Sequence, residues 1–191
     1  MRQVLQTLLL SSANKMNIEK YMDKGEIHEY KVISPTEIPF SDTVIDACRA
    51  NRCGRYGSCW TCQPGVGTLE ELEKKIKSYE KAAVFTCKFD LEDSFDIEGM
   101  ADGKNATKKF LFALKDELRS DGNDFFALGC GGCELCKKCT YPDAPCRFPD
   151  KAIPAIEACG INVVELSRKI GIKYNNGPNT VTYFSIILFN N

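Results

Sequence analysis

Nine of the eleven cysteines in this 191-residue chain fall in two short stretches, and that clustering constrains the chain more than any other feature. Four lie between Cys48 and Cys62 and five between Cys130 and Cys146, while Cys87 and Cys159 stand apart. A secreted disulfide scaffold is smaller and carries an export signal. Clustered thiols in a reducing compartment instead bind metal or do redox chemistry. With one histidine in the chain, His28, any metal site must be dominated by thiolate, which excludes most catalytic zinc sites.

No apolar run approaches the roughly 18 residues that a spanning helix needs. Val4–Leu10 is short, broken by Gln6 and Thr7, and lacks a small-residue cleavage site, so no signal peptide is expected and the location is read as cytoplasmic. Met16 is an equally good start, leaving residues 1–15 as a disordered leader. Hydrophobic content of 43% and charged content of 27% are those of an ordinary globular chain. A formal charge of −1 supplies no basic field, so neither nucleic acid nor a membrane is an expected partner. The chain reads as a single cysteine-rich metal-binding domain, residues 1–191, with cluster loops 48–67 and 129–149.

The intervening segments read as regular structure. Residues 26–33 alternate as a strand ended by Pro35 and Pro39, and residues 42–49 form a short helix delivering Cys48. Thr68 and Glu71 make a capping box for a helix running to about Glu80, whose apolar stripe is Leu69, Leu72, Ile76 and Tyr79. Glu70–Lys74, Glu71–Lys75 and Glu73–Lys77 are i,i+4 pairs on its wet face. A buried strand follows at 82–89, then an acidic segment, a helix over 106–119, a short strand at 125–128, helices near 155–158 and 163–170, and an interior strand at 181–189. Interleaved strands and helices predict an α/β or α+β fold, a mixed sheet with flanking helices and two cluster-binding loops. There is neither a dinucleotide-type glycine fingerprint nor a P-loop.

Residues 129–149 read GCGGCELCKKCTYPDAPCRFP, so Cys130, Cys133, Cys136 and Cys139 are each three apart and Cys146 follows. A [4Fe–4S] cubane takes four thiolates, and a tight C-x2-C-x2-C loop wraps three corners while a more distant cysteine supplies the fourth. Pro142, Pro145 and Pro149 stiffen the return to Cys146. Five cysteines compete for four positions, and because Cys139 and Cys146 flank the turn the favoured set is Cys133, Cys136, Cys139 and Cys146. Cys130 is then the spare or an alternate ligand. The alternative is zinc, which prefers paired C-x2-C knuckles separated by a longer insertion.

Residues 48–67 read CRANRCGRYGSCWTCQPGVG, and Cys48, Cys53, Cys59 and Cys62 offer a second thiol set of less diagnostic spacing. Tyr56 and Trp60 interleave with these thiols as shields against water or as a cofactor- or substrate-stacking surface. Arg49, Arg52 and Arg55 either offset thiolate charge or are solvated. His28 reads as a strand histidine rather than a ligand, and Cys87 as a small buried hydrophobe.

Both stretches resemble the signatures of a cysteine-rich family of predicted metal-binding proteins of unknown function, common in anaerobic bacteria and archaea. The first signature runs from Cys53 through Tyr56, Trp60, Cys62 and Gly67 to Glu71. The second runs from Cys133 through Cys136, Cys139, Pro142, Cys146 and Pro149 to Gly160. The resemblance covers nearly everything after residue 30. It implies Cys48, Cys53 and Cys62 in the first loop and Cys133, Cys136, Cys139 and Cys146 in the second as ligands, with no cysteine called for at Cys59, Cys130 or Cys159. Gln63 stands where the family usually has a second proline.

Three functional expectations follow. One is an electron-transfer protein with one or two [4Fe–4S] clusters and a redox partner protein, for which the acidic segment Asp90–Glu98 is a docking face or merely a solvated loop. Another is an enzyme, of dehydratase, desulfurase or reductase type, in which Cys48, Cys53 and Cys62 leave one iron open to a small-molecule substrate. The last is a zinc-stapled interaction module.

Overall fold

The most apolar segment of the chain becomes the centre of its sheet. The computed structural model describes residues 16–190, so the leader expected over residues 1–15 lies outside the described residues. Four strands, β1 (Glu29–Ile33), β2 (Lys81–Asp90), β3 (Phe125–Leu128) and β4 (Thr180–Phe189), lie in the order β1-β2-β4-β3. Every neighbouring pair is antiparallel, where a mixed sheet was expected. The reason lies in the last strand. The unit β2–helix–β3 is a crossover between two strands that run the same way, as the interleaved pattern suggested. β4 then inserts between them in the opposite direction, leaving no parallel pair in contact. The fold is therefore α+β.

Period-two alternation divides β2 and β4 between two cores. Ala82 and Val84 of β2, with Phe184, Ile186 and Leu188 of β4, pack with α3 (Leu69–Lys77) and α5 (Val163–Ile170) through Leu72, Ile76 and Leu166. Ala83, Phe85 and Cys87, with Ile187 and Phe189, face α4 (Ile97–Ser120) through Leu111, Leu114 and Leu118. Full burial of side chains such as Phe189, Ile186 and Leu118 stabilises the fold by roughly 1.5–3 kcal/mol each.

The expected capping box holds: the Thr68 hydroxyl accepts from the Glu71 N–H, and the Glu71 carboxylate accepts from the Thr68 N–H at 2.9 Å. Glu71 is thereby committed to the cap, while Glu73 pairs with Lys77 as foreseen. The helix expected over 106–119 begins much earlier, at Ile97. Asp96 caps it by accepting from the Gly99 N–H, so part of the acidic segment serves helix initiation. Gly103, an apparent helix breaker, is buried in its interior. A Cβ there would lie 2.8 Å from the Phe89 ring, so glycine lets α4 approach the sheet closely. The helix foreseen near 155–158 is a 3-10 turn at Glu157–Cys159, ended by Gly160 at φ 77°.

β3 pairs only with Ile186–Phe189, although β4 extends back to Thr180. The first half of β4 consequently has no strand beside it on that side among the described residues. Val181–Phe184 of that half line a cavity together with residues of both cysteine loops.

Candidate metal centre

The chain passes from α1 (Glu19–Met22) through β1 to α2 (Asp42–Arg49). The N-terminus of α2 is capped by the Ser41 hydroxyl accepting from the Thr43 N–H, and the first cysteine loop leaves the far end of that helix. Cys48 sits in the last turn, and its thiol donates to the Glu157 carbonyl at 3.7 Å. Left-handed residues Asn51, Gly54 and Gly57 then turn the chain back on itself towards Cys59 and Cys62. Gln63 is buried, and its amide donates to the carbonyls of Gly67 (3.0 Å) and Ala158 (2.8 Å). That side chain ties the loop to the segment below it.

The second loop continues straight from β3. Gly129 forms a parallel bridge with Ala155, donating to the Pro154 carbonyl and accepting from the Ile156 N–H at 3.0 Å each. The Ala155 N–H in turn donates to the Thr61 carbonyl. The two cysteine loops are joined directly as well, because the Cys133 N–H donates to the Thr61 hydroxyl at 3.1 Å. Glu134 accepts from Arg55 of the first loop and from Lys108 of α4, each at 2.9 Å. Thr140 donates to the Pro145 carbonyl and Arg147 to the Lys138 carbonyl, folding the Cys139–Cys146 segment into a closed turn. Trp60 donates to the Ala144 carbonyl at 3.1 Å and meets Tyr141 edge-on at 4.9 Å.

Two cavities take in the nine clustered thiols between them, and a third, of 330 Å³ against α4, is bordered by Cys130 and Cys133 as well. One, of 190 Å³, is lined by Cys59, Cys133, Cys136, Cys139 and Cys146. Four cations, Arg55, Lys137, Lys138 and Arg147, share its wall with those thiols, and no carboxylate does among the described residues. The other, of 490 Å³, is lined by Cys48, Cys53, Cys62 and Cys130, with Arg55, Lys104, Glu157 and the aromatic rings of Tyr56, Tyr174, Tyr183 and Phe184. Glu157 has accessible surface in this cavity, yet the surrounding protein raises its carboxyl above the usual range.

The thiols are electrostatically uneven. Cys59 and Cys62 are hydrogen-bonded to each other, and of the two Cys59 is the one shifted towards thiolate. Its partner thiol, the Thr61 side chain and backbone, and the Cys133 N–H outweigh its burial. Cys62 correspondingly holds its proton, through the neighbouring Cys59 charge and burial. Burial pushes Cys133 up, and takes Cys130 to about 11 and Cys159 to about 12. Metal binding must displace these protons, so affinity rises with pH.

The sequence-predicted residues are thus partitioned rather than grouped by loop. Cys133, Cys136, Cys139 and Cys146 share a cavity, and Cys48, Cys53 and Cys62 share the other. Cys59, from the first loop, lines the cavity of the second set, whereas Cys130, from the second loop, lines that of the first. Tyr56 lines the larger cavity, and Trp60 the smaller. Cys87 is buried in the sheet, and His28 is exposed beside Asn176, in neither wall. Thr61, Lys104, Glu134 and Glu157 were not foreseen. Thr61 had a signal, its place inside the Cys59–Cys62 spacing, but the others are distant in sequence.

Among the described residues no group of three or more His, Cys, Asp or Glu side chains is gathered as a site for a single ion. The thiols instead stand around open volumes. Such donor sets, thiols walled by cations, fit an anionic thiolate-ligated centre.

No curated protein and no solved structure matches the chain. The family model described as predicted metal-binding protein (DUF2284) matches residues 31–189, a span that takes in both cysteine loops and all but the start of the sheet. The chain belongs to that predicted metal-binding family.

Proposed function

We propose that this protein is an iron–sulfur protein that carries one or two [4Fe–4S] clusters and serves electron transfer in anaerobic redox metabolism. The observation that carries the reading is the 190 Å³ cavity walled by five thiols and four cations without a carboxylate. Cys133, Cys136, Cys139 and Cys146 would hold the centre there. When bound, such a cluster supplies a one-electron couple. The cations offset its negative charge, and Trp60, pinned to Ala144, screens one side from water, both of which act on potential. A reducing compartment, the cytoplasm, is the setting this reading implies.

Metal and acid-labile sulfide analysis of anaerobically purified protein, followed by an EPR-monitored redox titration, tests it. The expected result is about four iron and four sulfide per cluster with a reversible one-electron couple. Zinc without sulfide would reject the reading in favour of a stapled interaction module.

A second reading is favoured by the 490 Å³ cavity beside Cys48, Cys53 and Cys62. Its aromatic rings and Lys104 suit a small molecule, and a three-thiolate cluster there would make the protein an enzyme. Substituting Cys59→Ala discriminates. Falling iron occupancy at the first set would make Cys59 its fourth ligand and remove the open position.

A further inference from the structure

We infer that Cys130, carried by the second loop, is the fourth thiolate ligand of the centre held by Cys48, Cys53 and Cys62, so that each loop contributes to the walls of both sites. This inference rests on the iron–sulfur reading above and deepens it.

The backbone explains how Cys130 leaves its own loop's set. Gly129 is anchored on both sides, to Pro154 and Ile156, which holds Cys130 beside the 155–158 segment. That same segment receives the Cys48 thiol through the Glu157 carbonyl. Gly131 then adopts the left-handed conformation at φ 67°, reversing the chain. By the time it reaches Cys133, the backbone is bonded to Thr61 on the other side. Between the two, Gly132 lies flat against the first set: a Cβ on it would be 3.3 Å from the Cys62 sulfur. Cys130 consequently reaches the cavity of the first set and Cys133 that of the second, although the two also border a shared 330 Å³ cavity against α4.

Ligand number agrees with this placement. A [4Fe–4S] cluster takes four thiolates. The second set already has four from its own loop, with Cys59 as a fifth in the wall. The first cavity has three from its own loop, and Cys130 is the one further cysteine that lines it.

Anaerobic reconstitution with iron and sulfide, followed by EPR of the reduced protein, compares the wild type with C53A, C130A, C139A and the control C87A. The expected result is that C130A alters or loses the same signal as C53A, that C139A affects a different one, and that C87A affects neither. A C130A spectrum matching the wild type, or matching C139A, overturns the inference while leaving the iron–sulfur reading intact. A wild type that takes up no sulfide overturns both. Alkylation mapping adds a readout that leaves Cys130 in place. Relative to the metal-stripped chain, Cys130 should be protected in loaded C139A and react in C53A treated the same way. Reaction of Cys130 in loaded C139A equally overturns the assignment.

Discussion

The backbone N–H of Cys133 donates to the side-chain hydroxyl of Thr61 at 3.1 Å, so a residue between two thiols of one loop fastens the first thiol of the other set. Thr61 is itself 3% exposed, and its hydroxyl lies 3.5 Å from the Cys59 sulfur. Thr61→Val keeps the shape and removes the acceptor, stranding a partly buried N–H. The expected cost is about 1–3 kcal/mol in a urea titration of the metal-free protein. The metal-loaded variant should also release its metal faster to a chelator, because Thr61 and Cys133 both line the smaller cavity.

Gly103 allows α4 to lie against the Phe89 and Tyr183 rings. Gly103→Val should destabilise the protein by about 1–3 kcal/mol, despite the better helix propensity of most residues over glycine. Thermal unfolding of both proteins checks it. An unchanged midpoint would mean that the Phe89 ring moves aside without cost.

Ser185 is fully buried in β4, and its hydroxyl is without a hydrogen-bond partner among the described residues. Ser185→Ala removes an unpaired polar atom from the core beneath α4. Stability is expected to rise by about 1 kcal/mol, measured by denaturant midpoint.

Lys115 is buried on α4, where its ammonium donates to the Ala152 carbonyl at 3.3 Å. Burial first, then repulsion from Arg119, lowers its pKa from 10.5 to about 8. Below about 8 the group is charged in both folded and unfolded chains, and the cost of burying that charge is present in full. Between about 8 and 10.5 the folded chain loses the proton while the unfolded chain keeps it, so this group makes stability rise with pH. Lys115→Met should therefore add about 1–2 kcal/mol at pH 7 and flatten that rise, as urea titrations across the range would show.

Local signals were strong where neighbouring residues decide the outcome. The α3 cap is written in Thr68 and Glu71, the α2 and α5 segments in their spacing, and the interior position of β4 in apolar residues on both alternating faces. The early start of α4 was hidden because Gly99 and Gly103 lower helix propensity, and packing against the sheet overrides that preference. Strand direction was hidden as well. A crossover between β2 and β3 gives no local sign that the last strand will enter the space between them.

The sequence by itself determined that this chain gathers thiols in two loops and that, with one histidine to share, any metal site in it is dominated by thiolate. Spacing offered five cysteines for four positions, and the proline-stiffened return with the family resemblance favoured Cys133, Cys136, Cys139 and Cys146, which line one cavity because a short loop keeps its own residues together. Only the tertiary structure decided which cavity Cys59 and Cys130 enter. Their facing depends on the Gly131 turn, the Thr61–Cys133 bond and the Gly129–Ala155 bridge. The bond and the bridge join positions far apart in the chain, so no local pattern encodes which thiol each will turn.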